Sequence, residues 1–296
     1  MATSERKLVN DPKLVTVSRR TFLQRSMKWL GGLIGVGLAA GTYGYAWERT
    51  WLQIERMTLR LPRLPDAFNG CKLIQFSDAH LGHYFKPEQL QGIVDLIMRE
   101  QPDIICFTGD IVDEETRPFF AAIPILAQLQ APMGKFAVLG NHDYRAGQQH
   151  GIRQGWISAG FAVLDNRNVA IRQKADTLYI AGIDDALNGV PDLPKALIGI
   201  PEGSSVILLA HEPDVADEAA LYPIDLQLSG HSHGGQVRLP FVGHVLTPKL
   251  ANKYVNGLYL AGESEMQVYV NRGLGTTILP VRFLCRPELT VLTLHQ

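Results

Sequence analysis

Five short apolar runs of the chain end in residue types that bind metal ions. Ser77-Asp78-Ala79-His80 follows one run, Gly109-Asp110 the next and Gly140-Asn141-His142-Asp143 the third. His211 follows a fourth run and Gly230-His231-Ser232-His233-Gly234 a fifth. Extended residues two apart point to the same side, so Asp78 and His80 can grip one ion together. His231 and His233 can do likewise, or feed two adjacent ions if the loop turns between them. Gly109, Gly140 and Gly230 precede the candidates and let the chain bend sharply where each run ends. Nitrogen and oxygen donors without thiolate suit Mn, Fe or Zn and argue against a structural zinc site. A lone Gly-Asp is usually a turn, and a lone His after a strand is usually a satisfied polar residue. Together, in this order, they point to metal-assisted chemistry.

The elements that must position these residues alternate strand and helix. Residues 72–76, 104–107, 136–139, 178–181, 206–209 and 226–228 read as strands. Between the first two, Pro87 to Arg99 puts Leu90, Ile93, Val94, Ile97 and Met98 on one face of a helix, with Pro at its start. Residues 119–129 form a second candidate helix that Pro124 kinks or shortens. This order predicts an α/β fold with a buried, largely parallel sheet, and ligand sites in such sheets gather at the carboxyl ends of strands. From Phe161 onward strands dominate, so a mixed second sheet is expected.

The bulk numbers fit that reading. The chain has 296 residues, 46% hydrophobic and 19% charged, which leaves ample core. A net charge of -1 gives no basic groove, so no nucleic acid is expected as a partner. Cys71, Cys106 and Cys285 are odd in number and show no CxxC spacing, so no disulfide framework is expected. Cys106 reads as a small buried hydrophobe.

The N-terminal region reads as a targeting segment. Residues 1–28 hold seven basic side chains (Arg6, Lys7, Lys13, Arg19, Arg20, Arg25 and Lys28) against Glu5 and Asp11. Trp29 to Trp47 is then free of charge and would span roughly 28 Å as a helix, although six glycines keep it only mildly hydrophobic. Ser18-Arg19-Arg20-Thr21-Phe22-Leu23-Gln24 resembles the twin-arginine signal S-R-R-x-F-L-K, with Gln24 in the lysine position. That resemblance implies the twin-arginine export machinery as a partner, a route that lets a metalloenzyme fold and select its metal before export. No small-x-small cleavage site follows, so an uncleaved anchor is expected, in the cytoplasmic membrane with the catalytic domain outside. The expected organisation is a leader and anchor at 1–47, a connector at 48–68 containing Pro62 and Pro65, and one catalytic domain at 69–296.

The order D-x-H, GD, GNH[D/E], H, GHxH resembles the calcineurin-like metallophosphoesterase superfamily, from about Lys72 to the end. Gly230 to Pro240, Asn271-Arg272-Gly273-Leu274-Gly275 and the leader together resemble its YkuE/YaeI-like branch of bacterial phosphodiesterases. Ser77 stands where the first motif often has Gly. The resemblance implies a four-layer αββα sandwich, two mixed sheets flanked by helices, holding two divalent ions. It implies that Asp78, His80 and His233 hold the first ion, that Asn141, His211 and His231 hold the second, and that Asp110 bridges them. His142 would be the catalytic histidine, oriented by Asp143, with a metal-bridging hydroxide as nucleophile. Asp113 is a candidate supporting carboxylate, and Arg272 is a candidate for the substrate phosphate or for a structural ion pair. The expected function is a cell-envelope phosphodiesterase acting on a phosphate ester of lipid or envelope origin. Two alternatives stand beside it: a pyrophosphatase for UDP-2,3-diacylglucosamine-type substrates at the cytoplasmic face, and a non-catalytic envelope-binding protein.

Overall fold

A computed structural model describes residues 18–296 of the chain; Arg6, Lys7 and Lys13 of the basic leader, with Glu5 and Asp11, lie outside them. Helix α1 (Arg19–Ala46) holds both arginines of the leader motif and most of the uncharged run. Phe22, Trp29, Leu33 and Ile34 along it are exposed. Among the described residues no helix is long and apolar enough to cross a membrane. The described residues divide into two compact units, one ending at Thr42 and a body from Tyr43 to Gln296.

The body contains two six-stranded sheets and a small hairpin. The strands in chain order are β1 (Gln53–Arg60), β2 (Lys72–Phe76), β3 (Ile104–Thr108), β4 (Lys135–Val138), β5 (Ala162–Val163), β6 (Arg167–Gln173), β7 (Asp176–Gly182), β8 (Ser205–Leu209), β9 (Leu226–Ser229), β10 (Arg238–Leu239), β11 (Gly243–His244), β12 (Gly257–Leu260), β13 (Gln267–Val270) and β14 (Glu288–His295). The first sheet runs β1-β14-β2-β3-β4-β5, with β2 to β5 parallel and β14 antiparallel to β2. The second runs β12-β13-β9-β8-β7-β6, with β13, β9, β8 and β7 parallel. Both sheets are therefore mixed, and β10 pairs with β11 outside them.

Helices α2 (Pro87–Arg99), α3 (Arg117–Leu126) and α5 (Gln149–Ser158) pack on the outer face of the first sheet. Their apolar stripe, including Leu90, Phe119 and Trp156, meets Ile74, Phe76, Ile105 and Phe107 from the strands. In α2 the Gln89 side chain accepts from the Lys86 N–H at 3.0 Å, satisfying one open donor of the first turn. In α3, Pro124 lies two residues from the C-terminal end, so the helix stops short of the expected Leu129. Between the sheets, Leu73, Cys106, Phe136 and Val138 from one face meet Leu178, Ile207, Leu209 and Leu226 from the other. The far face of the second sheet is covered by short helices α6 (Leu193–Ala196) and α7 (Ala216–Ala219), with Tyr254 and Met266. Helices, sheet, sheet and helices stack in that order. All three cysteines are free and buried.

Residues 48–68, expected as a connector, belong to the body instead. Strand β1 pairs in parallel with β14 over all eight of its residues. It sits at a sheet edge with one wet face, so only Leu59 is buried and its sequence lacks the apolar run that marks the central strands.

Candidate metal centre

Every parallel strand that ends in a candidate ligand delivers it to one edge shared by both sheets. From the first sheet, β2 leads to Asp78 and His80, β3 to Asp110 and β4 to Asn141, the first residue of α4 (Asn141–Arg145). From the second, β8 leads to His211 and β9 to His231 and His233. Gln75 ties the two edges together, its amide donating to Thr108 Oγ1 at 3.0 Å and to the Ser229 carbonyl at 2.9 Å.

Two groups of donors form around Asp110. His80 Nε2 and His233 Nε2 lie 3.0 Å apart, and Asp78 Oδ1 is 3.4 Å from His233 Nε2. On the other side, His211 Nε2 is 3.3 Å from Asn141 Oδ1, and the ring of His231 lies beside that of His211. Asp110 Oδ2 sits 3.6 Å from His80 Nε2 and 3.2 Å from His211 Nε2, within reach of both groups. Asp78, His80 and His233 could hold one ion, and Asp110, His211 and His231 another. The ligand histidines are nearly all buried, and the Nδ1 atoms of His80 and His233 have no hydrogen-bond partner. The Nε2 atoms of both rings are turned toward the same space as the Asp78 carboxylate, an arrangement that would suit a cation once both are deprotonated. The donor set fits two hard or borderline divalent ions.

Neighbouring carbonyls fix which nitrogen His211 and His231 present. His211 donates from Nδ1 to the Thr108 carbonyl at 2.7 Å, turning Nε2 inward. His231 donates from Nε2 to the Lys249 carbonyl at 2.9 Å, which turns Nδ1 inward. Such outer hydrogen bonds set tautomer and ring orientation at metal sites. The main-chain N–H of His231 also donates to Asp78 at 3.0 Å, so one ligand loop positions another.

The local backbone differs from the expected extended form. Asp78, His80, Asp110, His231 and His233 have φ of 49, 46, 59, 65 and 50°. Left-handed turns at the ligands themselves bring the side chains together, and strain of this kind gathers at functional sites. The loop does turn between His231 and His233, which join different groups. Gly109 alone of the three flanking glycines is left-handed, at φ 97°. Gly140 and Gly230 are needed for room. A Cβ on Gly140 would lie 2.3 Å from Asp110 Oδ1, and one on Gly230 would lie 2.2 Å from Asp78 Oδ2.

Charges in the centre are strongly coupled. Burial opposes ionisation of Asp78 and Asp110, yet the facing histidines, His233 for Asp78 and His211 for Asp110, hold both well below the usual carboxylate range. Burial likewise opposes a charge on His80, but Asp113, Asp78 and Asp110 outweigh it and hold its pKa up to about 9. His211 is raised well above its ordinary value, with burial again overcome, chiefly by Asp110. Burial, and then the charge on His211, push His231 down to about 4.

His142 stands beside this cluster, with its ring edge-on to His80 at 4.7 Å between centroids. Its main-chain N–H donates to Asp110 Oδ1 at 2.8 Å. Its Nδ1–H donates to the Asp113 carbonyl at 2.9 Å, leaving Nε2 available to a substrate. Asp143 does not orient it, contrary to expectation. The buried Asp143 carboxylate accepts from the main-chain N–H groups of Asp110, Ile111, Val112 and Gly140 at 3.0–3.2 Å, so it shapes the Asp110 loop. Burial first, and Asp110 next, push the Asp143 pKa up to about 7. Asp113 is the supporting residue. Its carboxylate lies 3.7 Å from His80 Nδ1 and 3.6 Å from His142 Nδ1, while its carbonyl fixes the His142 ring.

Arg272 is not free for a substrate. Its Nη2 lies 2.8 Å from Glu55 and its Nε 2.7 Å from the buried Glu288, so it joins β1 to β14 as an ion pair. The motif around it serves the Asp78 loop instead. Leu274 N–H donates to the Ser77 carbonyl and Gly275 N–H to that of Asp78. A Cβ on Gly273 would lie 2.6 Å from that of Asp78. Arg282, fully buried, clamps this loop by donating to the carbonyls of Arg272, Gly273, Gly275 and Cys285. Sequence reading missed Arg282; its signal is a lone charge inside the apolar run 278–285.

The sequence model described as Calcineurin-like phosphoesterase matches residues 71–235. The metallophosphoesterase YkuE of Bacillus subtilis is 41% identical over 95% of this chain and 98% of its own length. The phosphodiesterase YaeI of Escherichia coli is 31% identical over 94% of this chain and 99% of its own. A Danio rerio transmembrane protein with a metallophosphoesterase domain is 33% identical over 79% of this chain, which spans 55% of that longer protein.

Proposed function

The chain belongs to the calcineurin-like phosphoesterase family, and from that membership we propose that it is a phosphodiesterase of the cell envelope. It is a metal-dependent phosphoester hydrolase; its choice of a diester and its place in the envelope are the proposed part. The placement of Asp110 between two donor groups carries the reading, because a shared carboxylate is what holds two cations close enough to act on one phosphoryl group. Two divalent ions, when bound, supply neutralisation of phosphoryl charge and a water acidic enough to attack near neutral pH.

The chain's own residues do the rest. Asp78, His80 and His233 would hold one ion, Asn141, His211 and His231 the other, and Asp110 both. His142 stands at the rim of the cluster beside Asp113, 18% exposed against 0–5% for the ligand side chains of Asp78, His80, Asp110, His211 and His233. With Nδ1–H committed to the Asp113 carbonyl, its Nε2 can hold a proton against the leaving-group oxygen. No Ser or Cys nucleophile is proposed, since a water activated by the ions would attack directly, and the three cysteines are buried. The diester reading is supported by the likeness to the Escherichia coli phosphodiesterase YaeI. The envelope reading is supported by the Ser18–Gln24 motif and by the transmembrane relative from Danio rerio.

The test is hydrolysis of an aryl phosphodiester with added Mn²⁺. Activity should vanish with chelator, and His142→Ala should lower kcat by roughly 10²–10⁴. Equal rates for the variant and the wild type would reject the role of His142, and chelator-resistant hydrolysis would reject the metal reading. A periplasmic-active reporter fused after Thr50 tests the side of the membrane, and a cytoplasmic signal would overturn the envelope assignment.

A further inference from the structure

Two loops beside the metal centre carry apolar side chains into solvent. The β10–β11 hairpin and the residues after it expose Phe241, Val242 and Leu246, and the neighbouring loop exposes Ile278, Leu279 and Leu284. Phe241 is completely exposed and Ile278 is 93% exposed. Three of these residues, Phe241, Ile278 and Leu284, have left-handed φ of 64, 63 and 52°. A β-branched or bulky residue rarely takes that conformation, and glycine would take it without strain. Large apolar side chains held there, facing water, serve neither the backbone nor the core.

The two loops form one surface. The Gln236 side chain donates to the carbonyls of Thr277 and Leu279 at 3.1 and 2.8 Å and accepts from the Thr277 N–H. Arg238 N–H donates to the Phe283 carbonyl at 2.8 Å. Residues 239–248 and 273–281 contain no Lys, Arg, Asp or Glu. The surface is fixed to the centre, since Gln236 lies three residues after His233 and the His231 ring is bonded to Lys249 just past the hairpin. The first residues of the body, from Tyr43, lie against the same surface. Tyr43 meets Phe283 edge-on at 6.3 Å, the Gly44 carbonyl accepts from Arg282 N–H, and Trp47 is exposed just beyond.

We propose that these loop tips are a lipid-facing surface that seats the metal centre on a bilayer, with Phe241 and Ile278 immersed at the headgroup–acyl boundary. The occupant is argued from continuity: the charge-free loops pack against Tyr43 and Gly44, which belong to the last, charge-free stretch of the chain before Glu48. Separate protruding tips also suit a deformable apolar medium better than the flat matched face of a second copy. Interfacial seating needs no crossing helix. Resting on the phosphodiesterase reading, this surface would present the headgroup phosphoester of an amphiphile to the ions.

Immersion can be read without activity. In the full chain, Phe241→Cys and Ile278→Cys each add one exposed thiol, because Cys71, Cys106 and Cys285 are buried. Each is labelled with an environment-sensitive fluorophore and mixed with vesicles of equimolar phosphatidylethanolamine and phosphatidylglycerol, with and without brominated acyl chains. Leu221→Cys is the reference, exposed and placed before β9 at the opposite sheet edge. Both loop probes should shift to the blue and be quenched at least about twofold more than the reference, as residence ~5–10 Å into the boundary requires. Solvent-like emission at both loop sites, with quenching equal to the reference, would overturn the proposal even if the N-terminal segment holds the protein on the vesicle. Failure of the phosphodiesterase reading would show in the chelator test and leave the quenching unchanged.

Discussion

At the residue scale, a side chain's type announces that it can bind metal, and its hydrogen bonds decide what it does. The meeting of Asp78, His80, Asp110, Asn141, His211, His231 and His233 at one edge was legible because each follows a run ending there. The partner of His142 was not legible. Adjacent Asp143 is the obvious choice in one dimension, but the helical turn of α4 sends its carboxylate back to four N–H groups. Asp143→Ala would leave those donors unpaired, at about 1–3 kcal/mol for each buried unmet group. We expect a loss of at least ~3 kcal/mol, read as a fall in Tm of roughly 6–12 °C for a body of this size. Unchanged Tm would show that the carboxylate does not hold the loop. Arg272→Met separates structure from recognition. Leaving the buried Glu288 unpaired should cost ~3–5 kcal/mol, with KM for an aryl phosphodiester moving less than about twofold, since uniform binding is not what is lost. A large KM rise with unchanged Tm would return Arg272 to substrate binding.

At the element scale, β2, β3, β4, β8 and β9 could be read to within about a residue and β7 to within two, because a strand buried on both faces tends to be continuously apolar, whereas β13 and β14, also inside the sheets, were not read. Strand β1 escaped because it is a half-wet edge, and α3 was shortened by Pro124 as the missing N–H demands. What the sequence could not show is that the sharp turns fall on the ligands, and that Gly140 and Gly230 are kept small by their neighbours. Gly140→Ala tests this. Its Cβ would press on Asp110 Oδ1 at 2.3 Å and on His211 Nε2 at 2.7 Å. Displacement of ~1 Å at a reacting centre can cost about 10²-fold in rate, so we expect at least that loss in kcat with the far-ultraviolet circular dichroism unchanged. Near wild-type rates would mean that the cradle yields and the close packing is incidental.

At the scale of the whole molecule, the centre is a seam. Each sheet has a core against its helices, a third core lies between the sheets, and the ions would add a link at their shared edge. Metal binding should therefore contribute to global stability, with a pH dependence set by the histidines. The pKa of His80 is held at about 9 in the metal-free fold, above its unfolded value. That contribution is fully present below about pH 6.5 and is lost as pH rises through about 9. Metal requires the neutral imidazole and so competes with the proton. Saturating Mn²⁺ should raise Tm more at about pH 8.5 than at about pH 6, and calorimetry in buffers of different ionisation enthalpy should show proton release near neutrality. Equal stabilisation at both pH values, without proton release, would contradict the coupling between His80 and its carboxylates.

The most direct measurement is anomalous diffraction from crystals grown with Mn²⁺. Two peaks ~3.5–4 Å apart are predicted, one against Asp78, His80 and His233, the other against Asn141, His211 and His231, with Asp110 between them. A single peak, or a pair that leaves Asp110 uncoordinated, would contradict the two-ion centre from which the hydrolysis was argued.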